Sequence, residues 1–180
     1  MPFDLEPTLI GERLELRPMR SDDWAALYAA GSDPLIWEQH PERDRYEPEV
    51  FRRYFEGGLA SGGAFVVLDR RDGRIIGSTR YFGYDEAASE IEIGWTFLTR
   101  EYWGGTYNRE MKRLLVDHAL RFVKRVVFLV GPTNLRSQKA MAKIGGVRAE
   151  PVVRDGRELV VFEITAPIPP SPGEDTGVRS

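Results

Sequence analysis

The 180-residue chain contains no cysteine, which excludes disulfides, thiolate metal sites and thiol nucleophiles together. Histidine is nearly as scarce. His40 and His118 stand far apart in different contexts, so a histidine-built centre has no material and no metal is expected. The net charge is −3 and no long basic run occurs, so nucleic acid is not an expected partner. No apolar stretch approaches the ~20 residues of a membrane span. Residues 1–7 carry neither the basic nor the apolar segment of a signal peptide, and a soluble cytoplasmic protein is the expectation. Against these absences, hydrophobic residues make up 42% of the chain, enough for the core of one ordinary domain.

Residues 13–19 alternate apolar and charged side chains, the pattern of a half-buried strand. Ser21, Asp22 and Asp23 read as a helix start, with acids at the positive end of the dipole, and Gly31 as its end. An irregular stretch with Pro34, Trp37, His40 and Pro41 follows. A second helix is expected from about Pro48, with Phe51, Tyr54, Phe55 and Leu59 at helical spacing. Residues 64–68 and 74–82 flank Asp72-Gly73, a strong hairpin signal. Residues 90–98 form another strand, rich in β-branched and aromatic side chains, and run into Gly104-Gly105. A helix over 108–123, a buried strand over 125–130, a helix over 134–144 and a hairpin of residues 147–154 and 157–165 across Asp155-Gly156 complete the order. Residues 166–180 hold four prolines and little that could pack, so residues 1–165 read as the domain and 166–180 as a disordered tail.

Chemistry concentrates where the strand passes through the glycines into a helix. A helix start carries free backbone N–H groups and a positive dipole end, and glycines allow a phosphate to come close. Alone, a Gly-Gly there is more often a plain turn. A second segment strengthens it: Asn134-Leu-Arg-Ser-Gln-Lys-Ala-Met-Ala-Lys-Ile-Gly-Gly.

On three motifs the chain resembles the GNAT superfamily of N-acetyltransferases, and within it the RimJ/RimL-like branch. The phosphate turn of that branch, roughly Trp-Gly-x-Gly-x-Ala-x-Glu, stands here as Trp103-Gly104-Gly105-Thr106-Tyr107-Asn108-Arg109-Glu110. The later Asn-x-x-Ser motif with Lys-x-Gly is met by Asn134, Ser137, Lys143 and Gly145, and the Glu-Ile-Gly-Tyr/Trp strand by Glu92, Ile93, Gly94 and Trp95. The likeness covers about residues 8–165. It departs at Thr106 and Asn108, which replace the second glycine and the alanine, at Glu101, and at Gly146, which replaces a phenylalanine.

The resemblance implies an α+β fold, a mixed, mainly antiparallel sheet of six or seven strands with helices on both faces. It implies acetyl-CoA as acyl donor, held by Thr96, Phe97 and Leu98, by the turn from Trp103, Gly104, Gly105, Thr106 and Tyr107 to Asn108, and by Asn134 and Ser137. Ser137 would polarise the departing thiolate. Glu92 would take the acceptor's proton, directly or through water, because only an unprotonated amine attacks a thioester. Its other reading is a solvated strand glutamate. Trp37 and His40 would line the acceptor's pocket. The acceptor, a protein N-terminus or a small-molecule amine, is not legible, and a homodimer is left open. A non-catalytic acyl-CoA-binding module is the rival, motivated by Glu101, Thr106 and Asn108.

Overall fold

A computed structural model describes residues 2–170. Eight strands form one sheet in the order β1-β2-β3-β4-β5-β6-β8-β7. They are β1 (Leu9–Ile10), β2 (Leu14–Pro18), β3 (Ala64–Asp69), β4 (Ile75–Asp85), β5 (Glu90–Leu98), β6 (Arg125–Val130), β7 (Val147–Arg154) and β8 (Arg157–Ile164). Every neighbouring pair is antiparallel except β5 and β6. The eighth strand, beyond the seven expected, is the two-residue β1, too short to show an alternation.

The helices are α1 (Trp24–Gly31), α2 (Pro48–Ser61), α3 (Thr106–Ala119) and α4 (Leu135–Lys143). Side chains of a strand point alternately to the two faces of a sheet, and β3 shows where each helix layer lies. Phe65 and Val67 join the core beneath α3 and α4 with Met111, Leu115 and Met141. Val66 between them joins the core beneath α1 and α2 with Leu27, Phe51, Tyr54 and Phe55. Helices therefore cover both faces.

Two local expectations change. The α-helix expected at Ser21 begins at Trp24, after a turn of 3₁₀ helix in which the Asp23 carboxylate accepts from the Arg20 N–H at 2.8 Å. Gly31 ends the helix as expected, as its last helical residue. It is glycine because a Cβ there would lie 2.4 Å from Phe51 Cε2. The helix expected over 108–123 starts two residues earlier, at Thr106 behind its cap Gly105, and breaks into tight turns after Ala119, where both Phe122 and Val123 donate to Ala119 O.

The Pro-rich tail is also revised in part. Residues 171–180 lie outside the described residues, but Ile168 is 3% exposed in the α3 core, and Pro169 O accepts from Arg109 Nε at 3.2 Å. A lone isoleucine among prolines offers no periodicity, so its docking could not be read. Ile168→Ala should cost about 2–5 kcal/mol, as truncation of a fully buried aliphatic side chain does. A lowered urea midpoint at unchanged slope would show it.

Candidate active site

The site arises where β5 and β6 stop being neighbours. They pair at Glu90↔Arg125, Ile91↔Val126 and Glu92↔Val127 and no further. From Ile93 to Leu98 the edge of β5 facing β6 thus has no strand partner, and backbone groups left in such a gap require another one.

A bulge in β5 accompanies the parting. On β4 the pairing steps from Arg80 to Ser78, while on β5 it steps from Gly94 to Phe97, one residue more. The extra residue is Trp95, with φ of +52°, a strained conformation for a bulky side chain. It is held in place: its carbonyl accepts from Tyr54 Oη at 2.5 Å, and Arg80 lies over its ring at 4.5 Å. The bulge reverses the alternation of the strand. Ile91 and Ile93 face α3 before it, and Leu98 does so after it, while Phe97 turns to the α1–α2 core. Close packing supports the junction, since a Cβ on Gly77 of β4 would lie 2.1 Å from Phe97 O.

At the outer end of the gap stands the glycine turn. Gly104 and Gly105 have φ of +114° and +105°, which L side chains rarely adopt, so these positions need glycine for their backbone. Gly105 caps the fourteen-residue α3 without any side-chain hydrogen bond, leaving the first amides of the helix unfilled. Trp103 ties the turn to β5 through Nε1 donating to Leu98 O at 2.9 Å, and Arg136 stacks on its ring at 3.8 Å. Glu101, an acid that would repel a phosphate, is paired with Arg74 at 2.8 Å and lies outside the cleft.

These elements enclose a cleft of ≈ 1010 Å³. Nearly all the residues singled out in the sequence line it: Trp37, His40, Glu92, Thr96, Phe97, Leu98, Trp103, Gly104, Gly105, Thr106, Asn108, Asn134 and Ser137. Tyr107 is the exception. Its ring packs edge-on against Tyr102, away from the cleft, so only its backbone belongs to the turn. Phe97 and Leu98 have buried side chains and offer a ligand their main chain. Asn134 caps α4 by accepting from Ser137 N at 3.2 Å, and its amide nitrogen and the Ser137 hydroxyl have no partner among the described residues.

On the α1–α2 side, Trp37 is 1% exposed with Nε1 bonded to Gly31 O, so it forms the wall behind the cleft rather than a surface for a ligand. His40 Nδ1 accepts from Glu42 N at 3.0 Å; burial and then the nearby Arg45 hold its pKa down to about 3, and the ring is neutral at physiological pH. Glu92 is not a solvated glutamate. It is 7% exposed, and both its oxygens accept from Arg154, at 3.0 and 2.8 Å. Arg154 lies 62 residues away on the outermost strand, which no local pattern reveals.

Sequence reasoning missed Lys112. The residue is 6% exposed and lines the cleft from the α3 side; its ammonium donates to Thr96 Oγ1 at 3.2 Å and lies 5.2 Å from the Phe128 ring centre. Burial alone holds its pKa down to about 8. A signal existed: Lys112 stands four residues before the fully buried Val116 and beside Met111, on the inner stripe of the helix. Among the described residues no group of His, Asp or Glu is placed to hold a metal, and no helix is long and apolar enough to cross a membrane.

Comparison with known proteins accords with this geometry. A family model described as the acetyltransferase (GNAT) domain matches residues 13–147. YnaD, an uncharacterized N-acetyltransferase of Bacillus subtilis, is 26% identical over 138 residues, 74% of this chain and 79% of that protein. A probable GNAT-family acetyltransferase from Chromobacterium violaceum superposes with a TM-score of 0.79 at 20% identity, covering 91% of this chain and 88% of the other. Mycobacterium smegmatis RimJ, solved in complex with CoA-disulfide, gives 0.68 at 21% identity, covering 89% and 88%.

Lowering the Lys112 pKa from 10.5 to about 8 corresponds to about 3 kcal/mol against the charged form. Lys112→Met should therefore stabilise the protein near pH 7, by ~1–3 kcal/mol. Because the unfolded lysine still binds its proton between pH 8 and 10.5 while the folded one has lost it, the parent gains stability over that window. The gap in melting temperature should narrow as pH rises through it.

Proposed function

The chain belongs to the GNAT family of acetyltransferases, and we propose that it transfers an acetyl group from acetyl-CoA to a primary amine by direct attack, the acceptor being a protein N-terminus or a small-molecule amine. The observation that carries this reading is the unpaired edge of β5 leading from the Glu92–Val127 parting to the uncapped start of α3. Extended chain carrying amides at one end and a diphosphate at the other fits that sequence of donors and acceptors, and coenzyme A has this form. Acetyl-CoA supplies the acetyl group as an activated thioester.

The protein's own groups have separable tasks in this reading. The main chain of β5 around Thr96, Phe97 and Leu98 pairs with the amides, and the N–H groups of Gly104, Gly105 and Thr106 meet the diphosphate. Asn134 and Ser137 close the opposite wall, with Ser137 near the sulfur. Glu92 draws the proton from the acceptor amine. Each of its oxygens retains a lone pair beyond the Arg154 bond, enough to accept from an ammonium or an intervening water. Arg154 fixes its orientation, and the neutral His40 adds no charge to repel a cationic acceptor.

The same bidentate pair favours a second reading, an acyl-CoA-binding module without turnover, since a carboxylate so engaged is a poorer proton acceptor. Thiol release from acetyl-CoA across peptides with free N-termini, polyamines and aminoglycosides separates the two. Release with any of them supports the enzyme, and binding without release in all supports the module.

Thr106→Asp should weaken CoA at least tenfold in calorimetry, the equivalent of ~1.4 kcal/mol, by setting a negative charge against the diphosphate. Thr106→Gly should be tolerated. Equal affinity for the aspartate variant would mean that the phosphate site lies elsewhere.

With an accepted amine, Glu92→Gln should bind CoA normally but lose ~10²–10⁴ in turnover near neutral pH, the usual cost of losing a general base. The loss should shrink in alkali, where more amine is already unprotonated. Glu90→Gln is the control on the same strand face, since Glu90 is bonded to Arg125 at 2.7 Å outside the cleft.

A further inference from the structure

A cation buried in a cleft without a carboxylate partner is costly unless something that binds there needs it. Lys112 is that case. Its Nζ projects from α3 toward the gap between β5 and β6, bonded to Thr96 Oγ1 at 3.2 Å and beside Phe128. Thr96 Oγ1 is itself bonded to Thr79 Oγ1 at 2.9 Å, so β4, β5 and β6 bring hydroxyls and an aromatic ring to the ammonium and no acid. Two acids of the flanking elements, one on α3 and one on β5, are engaged elsewhere. Glu110 accepts from Leu14 N at 2.7 Å and from Arg13 N, and Glu92 is bonded to Arg154. Farther along α3 and β4, Tyr81 donates to Leu115 O, and His118 bonds Asp4 O at 2.8 Å. The other charges lining the cleft are the cations Arg109, bonded to Lys143 O and Pro169 O, Lys139 and Lys143 at the α4 wall, and Arg45, Arg136, Arg154 and Arg157, with the acids Glu42, bonded to Arg45, and Asp155, neither of which bonds Lys112. The ammonium thus faces the gap with no anion to neutralise it.

We propose that Lys112 is the cation that receives the negative charge of the departing CoA thiolate and returns a proton to its sulfur. This rests on the reading of the cleft as an acyl-CoA site and adds the group that completes its proton balance. In the transfer, the amine nitrogen bonds to the acetyl carbon and the carbon–sulfur bond breaks, its electron pair remaining on sulfur. The amine gives up one proton on the Glu92 side, and the sulfur gains one from Lys112 Nζ, which is recharged from solvent. The two proton sites sit on opposite faces of the sheet at one opening, because the bulge at Trp95 turns Thr96 toward α3. Lys112 suits the task better than Ser137. A serine hydroxyl is a poor acid, whereas burial brings the ammonium, at about 8, beside an ordinary thiol at ~8.5, so proton transfer between them is nearly balanced.

The test needs no acceptor. Thiolate ultraviolet absorbance of CoA bound to the intact protein is titrated against pH, with calorimetry confirming saturation in each variant. The parent should ionise the bound thiol about 1–3 pH units below free CoA, the effect of an opposite charge within a few ångströms. Lys112→Met should return the midpoint to that of free CoA, and Lys112→Arg, which keeps a cation, should hold it down. Equal midpoints in the parent and Lys112→Met, with CoA bound to both, would overturn the assignment. Failure of the parent to bind CoA would instead overturn the acyl-CoA reading on which it rests.

Discussion

The structure depends on one interruption, the end of the parallel ladder between β5 and β6 after Glu92 and Val127. A continuous sheet would be more fully hydrogen-bonded, and buried backbone groups seldom go without partners. The fold holds the gap open by other means. Trp95 adds a residue to β5 and takes a left-handed conformation, secured by the Tyr54 hydroxyl and by Arg80 beneath its ring. Gly77 lets β4 come close enough to hold the far end of β5, and Trp103 bonds back to Leu98 O. The strain at Trp95 is a local cost offset by the two aromatic cores on either side of the sheet.

Electrostatics divide along the same line. On the α1–α2 face, Glu92 is paired with Arg154 and Glu42 with Arg45, His40 is uncharged, and the Arg80 guanidinium stacks on Trp95 and donates to Tyr54 O. On the α3 face, Lys112 stands without an anion, and the open start of α3 adds its own positive end. In the proposed reading, the acceptor enters on the first side and the anionic donor lies against the second. The family assignment gives this asymmetry a chemical meaning, since acyl transfer from a thioester to an amine removes a proton at one partner and restores one at the other.

Much of this was legible in the chain. Asp72-Gly73 and Asp155-Gly156 marked hairpins because type-specific turns demand those residues locally, and β5, β6 and α4 fell within a residue of their expected limits. Gly104 and Gly105 announced a special backbone, and their positive φ values bear that out. How the rings of Trp37 and Tyr107 turn was not legible, because composition does not say which way an aromatic side chain points. One is wall and the other packs on Tyr102.

The sequence by itself determined the order of elements and the turn that opens α3, because each is written in short-range periodicity and in residues with unusual backbone freedom, while the helices on both faces were implied by the family resemblance. Only the tertiary structure decided the bulge at Trp95, the Arg154 clasp on Glu92, the docking of Ile168 and the isolation of Lys112. Each of these depends on which distant surfaces meet, and burial and charge pairing are properties of that meeting rather than of any segment alone.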